Sequence, residues 1–131
     1  MTPEFRIGQG FDVHPWSDDP ERRLVLGGVR FDDGPGLVGH SDSDVAAHAC
    51  TDALLGAAGL GDIGSAFPDS DPQFAGADSV ELLRQAATMV HDAGWGSPTS
   101  TAPLSWTVPA SRLIVTRCRP ISHRRSVLRF R

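Results

Sequence analysis

The sequence predicts a domain of mixed strands and helices. Three observations point to it: a period-two alternation near the N-terminus, a second run of branched residues, and two helical patterns with capping residues and glycine stops. The 131 residues, 40% hydrophobic and 21% charged, have a globular composition sufficient for one modest core. No run nears the roughly 18 to 20 apolar residues of a membrane span. MTPEFRIGQG has neither the basic start nor the apolar stretch of a signal peptide, so a cytoplasmic protein is expected.

Over residues 5–13 the apolar Phe5, Ile7, Phe11 and Val13 share one parity, and Arg6, Gly8, Gly10, Asp12 and His14 the other. This predicts a half-buried strand with Asp12 and His14 facing the same way. Residues 15–22 read as a polar connection. Residues 23–31 (RLVLGGVRF) predict a second strand whose glycine pair marks a bulge or a close approach, and residues 32–36 (DDGPG) predict a turn. A helix is then expected to begin after Ser43 or near it: Val45, Ala49, Ala53 and Leu54 fall at helical spacing, residues 41–44 offer capping oxygens and early negative charge, and Gly59 suits the left-handed position past the last turn. On that helix Asp44, His48 and Asp52 lie one turn apart on one face. Residues 61–76 read as loop. A second helix follows, with Asp78 and Glu81 in capping-box spacing, Leu82, Leu83, Ala86, Ala87 and Val90 apolar, and Gly94 as its stop.

The charge is unevenly divided. Residues 1–96 hold all 16 acids and 5 arginines, whereas residues 97–131 hold 7 arginines and no acid. All 12 basic residues are arginine, a bias that fits a GC-rich coding sequence. In the C-terminal part Pro98, Pro103, Pro109 and Pro120 oppose helices and central strands, and only residues 112–116 (RLIVT) read as a short strand. Cys50 and Cys118 are too few for a disulfide framework and lack the paired spacing of a thiolate zinc site.

Asp12 and His14 could share a divalent metal with His48 and leave a fourth position open, and zinc suits that mixture of nitrogen and oxygen donors. From the spacing alone, a solvated or hydrogen-bonded pair is the simpler reading of Asp12 and His14. His40-Ser41-Asp42-Ser43-Asp44 precedes a helix N-terminus, where backbone N–H groups and the helix dipole favour an anion such as phosphate. The same stretch could serve only as an elaborate cap. Residues 61–64 and 67–71 form a polar loop whose carboxylates could accept hydrogen bonds from substrate hydroxyls, or a plain surface turn. His91, near the end of the second helix, reads as a surface residue, and His123 carries no assignable role.

Taken together, GQGFDVHPW, LGGVRF and GLVGHSDSDVAAHACTDALLGAAGLGDIGSAFPDSDPQFAGADSVELLRQA resemble, from about Phe5 to Trp95, the 2-C-methyl-D-erythritol 2,4-cyclodiphosphate synthase family of the non-mevalonate isoprenoid pathway. The resemblance implies an α+β homotrimer with active sites between subunits, each holding zinc and a second divalent cation, Mg2+ or Mn2+, at the diphosphate. It implies Asp12, His14 and His48 as zinc ligands. It also implies Asp12, Val13, His14, His40 and Ser41 at the substrate, with His40 holding phosphate and stabilising the transition state. Asp62, Ile63 and Gly64, with Phe67, Pro68, Asp69, Ser70 and Asp71, match loops that contact the methylerythritol part. The implied chemistry converts 4-diphosphocytidyl-2-C-methyl-D-erythritol 2-phosphate to the cyclic diphosphate with release of CMP. The implied partners are that substrate and further copies of the chain, with neither membrane nor nucleic acid.

Gln9 stands where many relatives carry histidine. The larger departure is residues 97–131, where the family's Asn-Val-Asp strand core, Ala-Pro-Lys loop and Thr-Thr-Thr-Glu stretch are all missing. A frameshift accounts for this: read from two bases later, the degenerate code for SPTSTAPLSWTVP permits Ala-Asn-Val-Asp-Cys-Thr-Val-Val-Leu-Asp-Arg-Pro. Residues 1–96 are therefore expected to be the N-terminal part of one synthase domain, and residues 97–131 a non-matching basic tail, irregular or poorly packed. A genuine divergent tail is the alternative to a frameshift. Two other functional readings follow from the residues. One is a catalytically impaired metal-binding protein whose basic tail binds anions or nucleic acid nonspecifically. The other is a zinc hydrolase acting through a metal-bound water.

Overall fold

The computed structural model describes residues 6–95 in full and, beyond them, the backbone of residues 104–108 and 113–118. The chain divides into two units, Met1–Trp95 and Gly96–Arg131. In order, the first unit carries strands β1 (Leu24–Leu26) and β2 (Val29–Phe31), helices α1 (Val45–Ala58) and α2 (Ile63–Ala66), a single 3-10 turn (Pro72–Phe74) and helix α3 (Ser79–Asp92). Strands together with helices make this an α+β arrangement. Among the described residues no helix is long and apolar enough to cross a membrane.

The expected N-terminal strand does not form. Residues 6–15 run without strand pairing, and the first bridge is Trp16 with Leu37. The alternation survives, but with its sides exchanged: Ile7 is 96% exposed, Val13 73% and Phe11 59%, while Gly8, Gly10, Asp12 and His14 face the protein. The neighbour on that side is helix α1, whose backbone groups are committed to their own ladder and offer no strand to pair with. What the helix does accept is close approach. A β-carbon on Gly8 would stand 1.8 Å from the carbonyl oxygen of Ala53, and one on Gly10 1.7 Å from that of Ala49. The glycine parity is thus the packed face because only glycine can lie there.

Residues 23–31 form two strands rather than one bulged strand. Leu24 pairs with Phe31 and Leu26 with Val29 across Gly27 and Gly28, both at positive φ (61° and 77°). That is the backbone a two-residue hairpin needs. The turn is tied to α1 by Asp44, whose carboxylate accepts from the N–H of Gly27 (2.8 Å) and Gly28 (2.6 Å) as well as from Ala46 and Ala47 (both 3.1 Å) in its helix-capping role. Helix α1 ends at Gly59 in the left-handed conformation, as the sequence predicts.

The stretch 61–76 is not featureless loop. Asp62 caps α2 and Asp71 caps the 3-10 turn, short elements that local side-chain acceptors suffice to start. Helix α3 begins at the expected cap, Asp78, which accepts from Val80 and Glu81. The Glu81 carboxylate bonds Arg84 at 2.6 Å. Leu55, Phe67, Leu82 and Ala86 form the core between α1, the 61–76 stretch and α3, with Phe67 and Phe74 edge to face at 5.5 Å. Each large side chain buried there contributes about 1.5 to 3 kcal/mol.

In the second unit, β3 (Leu104–Val108) and β4 (Leu113–Cys118) pair antiparallel, Val108 opposite Leu113 and Leu104 opposite Cys118, with an irregularity between Leu104 and Trp106. The β4 strand overlaps the expected run at 112–116. The β3 strand replaces an expected irregular segment, and it fits between Pro103 and Pro109, which bracket it without interrupting it. The rest of residues 97–131, His123 included, lies outside the described residues.

Burial of the Asp44 carboxyl pushes it above its usual value, against the pull of its N–H donors from Gly27, Ala47 and Gly28. Folded Asp44 therefore holds its proton to higher pH than the unfolded chain does. Its contribution to stability declines as pH rises through the interval above the ordinary carboxylate value. Denaturant titrations of the full chain should show that slope in the wild type and lose it in Asp44→Asn. Asp44→Ala should cost on the order of 2 to 4 kcal/mol, from the lost cap together with unsatisfied glycine N–H groups; a loss under about 0.5 kcal/mol would refute this role.

Candidate metal centre and its cavity

Seating Gly8 and Gly10 on α1 carries the next two residues of the same parity, Asp12 and His14, over the first turns of that helix, where His48 projects. Asp12 Oδ2 stands 3.1 Å from His14 Nε2 and 2.9 Å from His48 Nδ1. The ligand atoms of all three residues lie within 4.8 Å of one another, and the group could hold a metal ion. Asp12 and His14 are about one-fifth exposed at the side chain and His48 about one-tenth (22%, 21% and 11%), so the cluster is sheltered yet open on one side.

The protons favour a cation here. His14 Nδ1 lies in a short hydrogen bond to the carbonyl oxygen of Val38, which can only accept, so Nδ1 carries the hydrogen and Nε2 presents a lone pair to Asp12. Gly39 makes room for this ring, since a β-carbon there would lie 3.0 Å from His14 Cε1 and 2.2 Å from Ser43 Oγ. Two imidazoles and one ionised carboxylate form a donor set that suits zinc and its neighbours among the divalent metals.

The loop after β2 is held by Arg22, a residue that nothing in the sequence marks. Its guanidinium donates to the carbonyls of Gly39 (3.0 Å) and Ser41 (2.6 Å) and to Ser43 Oγ (2.8 Å), and its Nε to the carbonyl of Leu37. This clamp holds Ser43 at φ 58°, a left-handed conformation costly for a serine. His40 is tethered from outside, its Nε2 donating to the Asp71 carbonyl at 3.1 Å. Ser41 turns its hydroxyl inward, 3.1 Å from His48 Nε2. Asp44 already occupies the N–H groups of Ala46 and Ala47, so within 40–44 it is the capping role that Asp44 performs.

An open cavity of about 320 Å³ joins the cluster to this loop and to the 61–76 stretch. Asp12, His14, His40, Ser41 and His48 line it from one side, and Ile63, Gly64, Phe67 and Asp69 from the other. Val13, Asp62, Pro68, Ser70 and Asp71 are not among its walls. Val13 points outward with the apolar parity. Asp62 accepts from the Ser65 N–H and hydroxyl, both at 2.7 Å, and these bonds hold its carboxyl below the usual value. Asp71 is engaged with Gln73. His91 is a surface residue, as expected, 3.6 Å from Asp92. Behind the cluster, Ser79 escapes sequence reasoning, and so does its pairing with Asp42, which the sequence marks only as part of the 40–44 stretch. Ser79 reaches His48 and Asp42 only because α3 begins beside α1, and no local pattern announces it.

The YgbB family model matches residues 5–109, running past the Trp95 at which the quoted motifs end. Over 95 residues, 72% of this chain, it is 61% identical to a 2-C-methyl-D-erythritol 2,4-cyclodiphosphate synthase of Bordetella avium, covering 57% of that protein. A relative of the same name from Azoarcus sp. is 57% identical over 109 residues, 83% of this chain and 66% of that one. The chain thus spans less than two thirds of the length of these relatives. A solved 2C-methyl-D-erythritol-2,4-cyclodiphosphate synthase in its CDP-bound form is similar at a TM-score of 0.61 and 47% identity, over 68% of this chain and 58% of the other.

Titration of the full chain with a divalent metal should give about one bound ion per chain. Asp12→Asn and His48→Ala should each weaken it by more than the roughly 10- to 100-fold that loss of a supporting partner costs. Gly10→Ala should weaken it too, by lifting Asp12 and His14 off α1. Equal metal content in wild type and His48→Ala would exclude the centre.

Proposed function

Because the chain belongs to the YgbB family, in which its relatives are 2-C-methyl-D-erythritol 2,4-cyclodiphosphate synthases, we propose that it is a phosphorus–oxygen lyase of isoprenoid biosynthesis. In this reading it acts in the cytoplasm as a homotrimer. It converts 4-diphosphocytidyl-2-C-methyl-D-erythritol 2-phosphate to 2-C-methyl-D-erythritol 2,4-cyclodiphosphate. An oxygen of the 2-phosphate attacks the β-phosphorus, the bond from that phosphorus to the bridging oxygen breaks, and CMP leaves with the oxygen. The observation that carries the proposal is the convergence of Asp12, His14 and His48 at the wall of a cavity that His40, Ser41 and the 61–71 stretch also line.

Zinc held by Asp12, His14 and His48, with a second divalent cation at the diphosphate, would supply positive charge beside the phosphoryl oxygens. The protein's own share is positioning. Arg22 fixes the loop that brings His40 and Ser41 to the phosphate. Tethered through Nε2 to the Asp71 carbonyl, His40 is held at the cavity wall, where its other ring nitrogen can donate to a phosphate oxygen only as an imidazolium. Ile63, Gly64, Phe67 and Asp69 face the methylerythritol part, the apolar members excluding water and Asp69 accepting from a hydroxyl. Asp62, Pro68, Ser70 and Asp71 support that wall in this reading, and Val13 meets the substrate only as the link between Asp12 and His14, its side chain being turned outward.

Residues 97–131 are, in the same proposal, a frameshifted reading of the family's C-terminal half. The abrupt loss of acids after residue 96 and the missing Ala-Pro-Lys and Thr-Thr-Thr-Glu stretches support it. The chain is then a catalytically impaired product of a synthase gene, since loss of one preorganised transition-state donor commonly costs on the order of 100-fold or more. DNA around codon 96 should show a single-base insertion or deletion relative to close relatives. Supplied with substrate and metal, the chain should release CMP and cyclic product at least about 100-fold more slowly than a full-length relative. A rate equal to the relative's would refute the impairment. Phosphoester cleavage without cyclisation would favour a zinc hydrolase, and salt-sensitive nucleic-acid binding without turnover would favour an anion-binding protein.

A further inference from the structure

Behind the metal cluster lies a second polar layer, buried Ser79 with half-buried Asp42, to which neither the sequence motifs nor the comparisons assign a role at the metal. Ser79, the first residue of α3, is fully buried, and its Oγ stands 2.9 Å from His48 Nε2, the ring nitrogen that faces away from Asp12. On its other side the Ser79 hydroxyl makes a short hydrogen bond to Asp42 Oδ1, and its backbone N–H reaches Asp42 Oδ2 at 3.3 Å. We infer that Ser79, oriented by Asp42, is a positioning residue that holds His48 in the one tautomer able to bind metal through Nδ1. This inference rests on the metal-centre reading above.

The argument follows from which groups can donate. An ionised carboxylate only accepts, so the Ser79 hydroxyl must give its proton to Asp42. Its oxygen then has only lone pairs left for His48, and Nε2 must carry the ring hydrogen and donate it. Nδ1 is thereby left as a lone pair 2.9 Å from Asp12 Oδ2. Ser41 does not impose this choice. Its Oγ also lies 3.1 Å from His48 Nε2, but it can donate or accept there, because its proton is not committed to an obligate acceptor. What Ser41 does add is enclosure, through contacts to Ser79 Oγ at 3.2 Å and to the Ser43 N–H at 3.1 Å.

The same logic, with a different anchor, sets His14. There the Val38 carbonyl fixes the hydrogen on Nδ1 and turns the Nε2 lone pair inward. The two histidines thus present opposite ring nitrogens to one Asp12 oxygen, each because an acceptor on its far side has claimed the proton. Three lone-pair atoms converging with no proton between them repel one another unless a cation stands among them. Asp42 and Ser79 make the arrangement a preformed ligand set rather than a hydrogen-bonded cluster.

The test uses the full chain, zinc alone as the probe, chelator competition for affinity, and 15N spectra of the histidine rings. In zinc-loaded wild type His48 should show a protonated Nε2 and a metal-shifted Nδ1. Ser79→Ala should weaken zinc binding about 10- to 100-fold. Asp42→Asn, which keeps the shape but can donate to Ser79 and so release the serine proton toward His48, should weaken it similarly and raise the Nδ1-protonated population in the metal-free protein. Zinc affinity unchanged in both variants, or wild-type His48 bound through Nε2, would overturn the inference. If Ser79→Ala does not fold, Asp42→Asn and the wild-type spectrum still decide it. Failure of the metal centre itself looks different: wild type and His48→Ala would then bind zinc equally or not at all, and both readings would fall.

Discussion

Backbone lying on backbone is the constraint from which the site follows. Residues 6–14 reach α1 at a distance that no side chain larger than hydrogen allows, at Gly8 against Ala53 and at Gly10 against Ala49. The alanines along that face of α1 are part of the same requirement, because small residues on both partners let the two backbones approach. Once the segment is seated, parity decides what comes next. Asp12 and His14 occupy the glycine side and are delivered to His48, while Ile7, Phe11 and Val13 are turned outward.

A hydrophobic face pointing away from the core is the price of that seating. The apolar core proper is small, built on Leu55, Phe67, Leu82 and Ala86, and it lies on the side of α1 that meets α3. The opposite end of the unit is organised by buried and half-buried polar groups instead. Asp44 joins the β1–β2 turn to the helix, and Arg22 clamps the loop from Leu37 to Ser43. Asp42 joins the start of α1 to the start of α3. Each of these groups satisfies several partners at once, which is what makes burying it tolerable. Each also crosses between elements, so the polar layer does work that hydrophobic packing does elsewhere.

That layer explains why a metal site can be preformed here. Ligand atoms of like character do not gather unless their own hydrogen bonds hold them, and the far nitrogens of His14 and His48 are both engaged, by Val38 and by Ser79. The cavity beyond them is bordered by a loop that Arg22 clamps from one side and the Asp71 carbonyl ties, through His40, to the stretch carrying the opposing wall of Ile63, Gly64, Phe67 and Asp69.

The sequence by itself determined what depends on a few neighbouring residues. Helix α3 starts at its predicted cap, Asp78, α1 starts within a residue of the expected place, with Asp44 as its cap and not on the helix, and α1 stops at Gly59, because cap and stop bonds close within one turn. Asp12 and His14 share a face because an extended chain alternates regardless of what surrounds it. Tertiary structure decided which face is inside: alternation is symmetric, and only the approach of α1 selects the glycine side. It made a hairpin of the Gly27-Gly28 pair by giving the turn a carboxylate 17 positions away to hold it. It also brought Ser79 to Asp42 across 37 positions and Asp12 to His48 across 36. A buried donor takes whichever acceptor the packing of distant elements puts beside it, and residue type at either end does not encode that choice.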